Sequence, residues 1–349
     1  MAIRIRDWLD IRDEYSGHLL VGNGGSVAVW PDLGYDSLYR EASKSLSKGA
    51  KRLFEALGTT NFETTLDLLQ KANVVNSVLD VEEEATRLAY EDVRRSLVTT
   101  VRNIHPTFEN VKSELKPIAV FMTRFHTVFS LCYDTIIYWA ILVGNDEHGE
   151  NVLKDCWLHD GSGRRGYFEY SYEEYLRKPH CSRLPTLVFY PHGSLSLCTD
   201  AQGNEHKVVK HENESLLETV EREWTRDGYR PLIVSEGTSS AKLRTIGQSQ
   251  YLRTVYEDQL MTIADTLVVF GWRAGIQDTH VVDAIAAGPP KKLAISVFRP
   301  TDEDLAAWER FAVQFNKKVH DRHAGALYAH IEFFDAESDG FWCRCSVND

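Results

Sequence analysis

The stretch His18-Leu19-Leu20-Val21-Gly22-Asn23-Gly24-Gly25-Ser26-Val27-Ala28-Val29-Trp30 decides the fold. An apolar run of strand length feeds into three glycines, an asparagine and a serine, and a helical pattern follows. A strand that ends in closely spaced glycines before a helix is how a parallel α/β sheet presents backbone N–H groups to an anion such as a diphosphate. Glycine permits the close approach that a side chain blocks. The spacing is not GxGxxG, and no acidic residue follows about twenty positions later at the end of a second strand. A tight strand-to-helix turn therefore stands beside the phosphate reading.

Further apolar runs repeat the pattern: "HTVFSLC" (126–132), "TLVFYPHG" (186–193), "PLIVSEG" (231–237), "TLVVFGW" (266–272) and "KLAISVF" (292–298). Such runs alternating with helix-period segments predict a Rossmann-like α/β fold, a parallel sheet flanked by helices. Most runs end in Gly, Ser or His, at the carboxyl edge where open parallel sheets bind ligands. The chain reads as a single Rossmann-type domain over 1–349. A helical insertion is expected over 36–116, where apolar residues recur at three- and four-residue steps. Residues 144–184 read as an irregular connection, a candidate lid, with the pair Arg164-Arg165 either exposed or closing over a phosphate. The helix "TDEDLAAWERFAVQF" (301–315) and the strand "ALYAHIEFF" (326–334) complete the sheet.

Composition narrows the function classes. With 349 residues, 43% hydrophobic and 26% charged, the chain has enough apolar residues for a substantial core. Its net charge of −12 argues against nucleic acid and against anionic membranes as partners. The longest apolar window, "DTIIYWAILVGND" (134–146), falls short of the about 18 residues of a membrane span. The charged start "MAIRIRDWLDIRDEY" argues against a signal peptide, so a cytoplasmic location is expected. Six scattered cysteines without a CxxC pair predict reduced thiols and no metal.

Five strand ends carry candidate chemistry. His192, after "TLVFYP", is placed as a general base near neutral pH or as a structural histidine. Asp134, after Cys132-Tyr133, stands at a helix N-cap. Gly271, Trp272 and Asp278 lie in the turn after "TLVVF". Ser235 and Thr238 follow "PLIV". With Gly22, Asn23, Gly24, Gly25 and Ser26 they imply a nucleotide-sized ligand lying along the carboxyl edge.

The order of these motifs resembles the sirtuin-like NAD-binding proteins, in particular a divergent bacterial branch linked to phage defence and NAD cleavage. Residues 22–26 look like that family's Gly-Ala-Gly-x-Ser phosphate loop. "SLCYDTIIYWA" looks like its T-x-N-Y-D segment, "YPHGSL" like its catalytic His-Gly strand end, and "VVFGWRAGIQD" like its late GYSxxD turn. The resemblance runs from about residue 18 to 298. It implies NAD as substrate or ligand, with Gly22 to Ser26, Ser235, Thr238, Gly271, Trp272 and Asp278 around the nucleotide. It also implies cleavage of the nicotinamide–ribose bond, with His192 at a ribose hydroxyl or the attacking water and Asp134 at the ribose. Cys132 stands where the family has asparagine, as spectator or nucleophile, and a thiol cannot replace a carboxamide's paired donor and acceptor. Asn61 is the competing counterpart, although the preceding "AKRLFEAL" reads as helix. The substitution raises an alternative, a module that binds NAD or ADP-ribose without cleaving it and signals through a partner protein or a homo-oligomer. A third reading makes residues 36–116 an assembly element.

Overall fold

The computed structural model describes residues 3–34, 38–60, 62–82, 84–159, 165–177, 184–210, 214–226, 229–234 and 238–345. Ser235, Arg164 and Asn61 lie outside these residues.

Eight strands form one sheet in the order β1 (Ile5–Arg6), β13 (His330–Asp335), β12 (Lys292–Val297), β11 (Thr266–Phe270), β2 (His18–Val21), β3 (Thr127–Ser130), β7 (Thr186–Phe189), β4 (Leu153–Lys154). Every neighbouring pair among them is parallel. The central strands are continuous apolar runs because helices cover both faces, leaving no wet side to demand alternation. Leu19, Leu20, Val128, Phe129, Leu187, Val188, Leu267 and Val268 are all fully buried. The architecture is the expected Rossmann-like α/β sheet flanked by helices.

Chain order fixes where ligands meet such a sheet. From β2 the chain steps outward through β3 to β7, then returns to β11 on the other side of β2 and steps outward again through β12 and β13. The order therefore reverses between β2 and β11, and a crevice at the carboxyl ends is expected there. The glycine turn after Val21 and the Gly271-Trp272 turn after Phe270 both lie at this point.

Between β2 and β3 the main chain is helical, with helices Leu38–Ala42, Lys48–Leu57, Phe62–Val78, Glu84–Ile104 and Phe108–Met122. The last of these packs against the helix Ile136–His148 that follows β3.

Two regions differ from the sequence expectation. The run "PLIV" does not join the parallel sheet. It forms β10 (Arg230–Ile233) in a second, antiparallel sheet ordered β10, β8 (Gly193–Thr199), β9 (Glu205–Val208), β6 (Arg165–Phe168), β5 (Trp157–His159). The connection 144–184, expected to be irregular, contributes β4, β5 and β6 and the short helix Tyr172–Tyr175. Arg165, the described member of the arginine pair, lies in β6, and its guanidinium donates to the Tyr229 hydroxyl and sits 5.4 Å over that ring. No helix among the described residues is long and apolar enough to cross a membrane.

Candidate functional site

The glycine turn is packed against its neighbour. Gly22 N–H donates to Phe270 O at 2.8 Å, Gly24 N–H to Gly271 O at 2.8 Å, and Gly25 N–H to Gly22 O at 2.9 Å. A Cβ on Gly22 would stand 2.7 Å from the Gly271 oxygen and from Trp272 Cβ. The glycines are thus required for turn-on-turn contact, and three of the amides that a diphosphate would use are already bonded to backbone oxygens. The expected open cradle is corrected at those three positions. Asn23 turns away, donating through Nδ2 to Leu33 O at 3.1 Å.

Ser26 reaches across to β3. Its hydroxyl donates to Asp134 Oδ2, while Asp134 Oδ1 accepts the Ile136 N–H at 2.9 Å at the start of the helix Ile136–His148; the N-cap itself is Thr135, one residue after the expected Asp134. A neighbouring imidazole completes this helix start, because Thr135 N–H donates to His105 Nε2 at 3.0 Å and His105 Nδ1 faces Pro106 O at 2.8 Å. His105 therefore accepts through Nε2 and donates through Nδ1, a neutral tautomer, and burial lowers its pKa. Cys132 lies beside this group, 4% exposed. Burial and the Asp134 charge push its thiol well above the ordinary range. Only the thiolate is nucleophilic, so Cys132 is a protonated packing group here and the nucleophile role is withdrawn.

His192 is delivered by the turn from β7 into β8. Gly193 follows at φ +73°, and a Cβ there would fall 1.9 Å from Leu232 O of β10. His192 O accepts the Val234 N–H at 2.7 Å. The His-Gly pair thus locks the antiparallel sheet onto the carboxyl edge of the parallel one. The His192 ring meets His280, with the two Nε2 atoms 2.9 Å apart and the rings stacked at 22°. One ring must donate and the other accept. Ser239 Oγ accepts the His280 N–H at 2.8 Å and lies 3.3 Å from His280 Nδ1.

Asp278 completes the group. Its Oδ1 accepts from Lys242 Nζ at 2.7 Å and its Oδ2 from Trp272 Nε1 at 3.0 Å. Burial, then the Lys242 charge and the facing His280 ring, push His192 down to about 3. Burial likewise pushes His280 down to about 4. Both imidazoles are neutral at pH 7. Burial works to raise the Asp278 carboxyl, but His192, Lys242 and two hydrogen bonds outweigh it and leave the group below its usual range. With His192 neutral, the standing cation beside Asp278 is Lys242. His192, Asp278 and His280 each offer one metal-ligand atom, and these atoms lie within 4.8 Å of one another.

The predicted residues thus join two linked groups. Ser26, Cys132 and Asp134 form one; His192, Trp272 and Asp278 form the other. The glycine turn runs between them, touching Trp272 through Gly22 and Asp134 through Ser26. Thr238 serves as N-cap of the helix Ser239–Gln248, its Oγ1 accepting the Ala241 N–H at 3.3 Å. Sequence reasoning singles out Ser239, beside Ser235 and Thr238, as a small hydrogen-bonding group at a strand end, and misses His280, Lys242 and His105. His280 and Lys242 each fall just inside a helix start that follows a strand, which is the one signal available for them.

No curated protein matches the chain. The family model described as a domain of unknown function (DUF4917) matches residues 19–342, from the glycine-turn strand to the last described turn, and the chain belongs to that family.

Proposed function

We propose that the chain binds an NAD-type dinucleotide at the carboxyl edge between β2 and β11 and hydrolyses its nicotinamide–ribose bond. The observation that carries this reading is His192. It is a neutral imidazole at a strand end, held Nε2 to Nε2 against His280 at 2.9 Å, with the Asp278 carboxylate in the same group. A neutral histidine is free to take a proton from water or a ribose hydroxyl as the bond to nicotinamide breaks, and since burial pushes His192 to about 3 in the free site, the bound ligand must raise it for this step. The Asp278 charge then stabilises the imidazolium, and the oxocarbenium-like centre is favoured by orientation and by the neighbouring diphosphate. Asp134, fixed by Ser26 and the helix start, is suited to a ribose hydroxyl. By the resemblance to defence-linked proteins, the active form is a homo-oligomer in a bacterial defence role, and light scattering beside the assay reads its assembly.

The test is nicotinamide release from NAD, followed by chromatography. His192→Ala is expected to slow release by about 10²–10⁴-fold. Release that persists in His192→Ala removes the mechanism.

Cys132 favours a second reading, binding of NAD or ADP-ribose without cleavage. The buried, protonated thiol supplies neither half of the carboxamide pair that the resemblance places there. Recovery of intact NAD from wild type, with activity gained in Cys132→Asn, selects that reading.

A further inference from the structure

We propose that His192, Asp278 and His280 form a binding site for one divalent transition-metal ion of the zinc type, held by two imidazole nitrogens and one carboxylate oxygen. The inference goes beyond the dinucleotide reading and stands without it. The two histidines are 88 positions apart, so no ligand spacing in the sequence announces them. The fold brings them together where the turn from β7 into β8 meets the helix Thr279–Ala287.

Four features of the geometry support the site. First, the two Nε2 atoms face each other nearly head-on, 2.9 Å apart with ring centroids 5.1 Å apart. Two zinc-bound imidazoles at about 2.0–2.1 Å each stand roughly 3.3 Å apart in tetrahedral geometry. The observed 2.9 Å becomes that spacing when the rings part by a few tenths of an ångström, and both rings must also tilt toward the ion as it replaces the hydrogen bond between them. Second, Asp278 is close enough to close the triangle, since all three ligand atoms lie within 4.8 Å. Third, the outer contacts are those that orient metal ligands. Ser239 Oγ sits 3.3 Å from His280 Nδ1 and leaves Nε2 to the ion, while the Trp272 indole at 3.0 Å holds the carboxylate at Oδ2. Fourth, two histidines and one carboxylate leave a coordination position for water or substrate, as catalytic zinc sites do.

Lys242 sets the strength of the site. Its ammonium lies 2.7 Å from Asp278 Oδ1 and so competes with any cation for that carboxylate. A bound ion must share the carboxylate with Lys242 or move it aside. With an ion in place His192 would be a ligand and no longer a proton acceptor, and the ion would lower the pKa of a bound water so that it loses its proton to solvent and can attack as hydroxide.

The test uses the full chain, stripped with chelator and titrated calorimetrically with Zn²⁺, then with Co²⁺ followed by absorption. One equivalent per chain is expected, with a cobalt spectrum of nitrogen and oxygen ligands lacking thiolate charge transfer. Asp278→Asn and His280→Gln should each weaken binding by at least about 100-fold, and Ser239→Ala by about 10-fold. Lys242→Met should tighten it by at least about 10-fold, because a unit positive charge no longer faces the ion. The exposed control His320→Gln should leave it unchanged. If Asp278→Asn or His280→Gln fails to fold, Ser239→Ala and Lys242→Met carry the test by their opposite signs. No saturable binding below millimolar Zn²⁺, or binding indifferent to both of these, overturns the site. Failure of nicotinamide release with zinc binding intact would remove the hydrolase reading alone.

Discussion

Gly24 and Gly271 close the centre of the parallel sheet on each other: the Gly24 N–H donates to Gly271 O at 2.8 Å, and a Cβ on Gly24 would lie 2.6 Å from Gly271 Cα. Gly271 has φ of +64°, and a Cβ there would approach the Gly25 nitrogen to 2.4 Å. Left-handed strain and a backbone clash therefore coincide. Gly271→Ala should cost about 3 kcal/mol or more in urea unfolding. Gly275→Ala, four residues further along the same loop and with nothing within 4 Å of its would-be Cβ, should be close to neutral. Equal midpoints for the two variants would show that the turns do not pack as described.

Asp134 separates a capping role from a ligand role. Asp134→Ala removes the acceptor for the Ile136 N–H and for the Ser26 hydroxyl, and about 1–2 kcal/mol of stability should go with it. Asp134→Asn keeps a carboxamide oxygen for the Ile136 N–H and should cost less than about 1 kcal/mol. If Asp134 also holds a ribose, affinity for ADP-ribose should fall in Asp134→Asn while the melting temperature holds. Thermal melts and calorimetric titration read the two effects separately. A carboxylate that only caps the helix would leave the affinity of Asp134→Asn at the wild-type value.

The parallel sheet was legible because both of its faces are buried, and a run such as Thr266–Phe270 then writes itself as unbroken apolar residues. The same rule misread residues 231–234. "PLIV" is equally apolar, yet its partner is β8, and a four-residue run carries no mark of its neighbour. That one misplacement hid half the site. Because β10 lies in the antiparallel sheet, the helix Ser239–Gln248 starts over the carboxyl edge from the far side and brings Ser239 and Lys242 to His280 and Asp278. His192, Asp134, Trp272 and Asp278 were visible as polar residues at strand ends. The glycines were visible too, but sequence does not distinguish a glycine that admits a phosphate from one that admits another turn.

His18 gives the stability a pH dependence of known sign. It is partly buried at the start of β2, stacked on Phe129 at 6.0 Å, with no hydrogen-bond partner at Nδ1. Burial, with the nearby positive charges of His126 and Arg177, pushes its pKa down to about 4. The unfolded chain titrates near 6.5, so it binds the proton that the folded chain refuses. The contribution to stability is complete above pH 6.5, shrinks as pH falls toward 4, and is constant below. Between pH 7 and pH 5, wild type should lose about 2 kcal/mol more than His18→Phe in urea unfolding. Parallel pH profiles for the two proteins would contradict a neutral buried His18.

The antiparallel sheet is tied to the parallel one by a buried ion pair. Lys207 of β9 donates to Asp155, which lies between β4 and β5, and both side chains are 8% exposed. The ammonium also sits 4.3 Å from the centroid of the Tyr138 ring, on the helix that follows β3. Neither charge has water to fall back on, so removing one leaves the other unpaired in an apolar setting. Lys207→Met should therefore destabilise by about 3–5 kcal/mol. Lys207→Met combined with Asp155→Leu should recover most of that loss, because an apolar pair of similar volume avoids the desolvation of two ions. Unfolding free energies for the two single variants and the double variant give the coupling directly. If the double variant were as unstable as the sum of the singles, the two sheets would be held by packing around the pair and not by the pair itself.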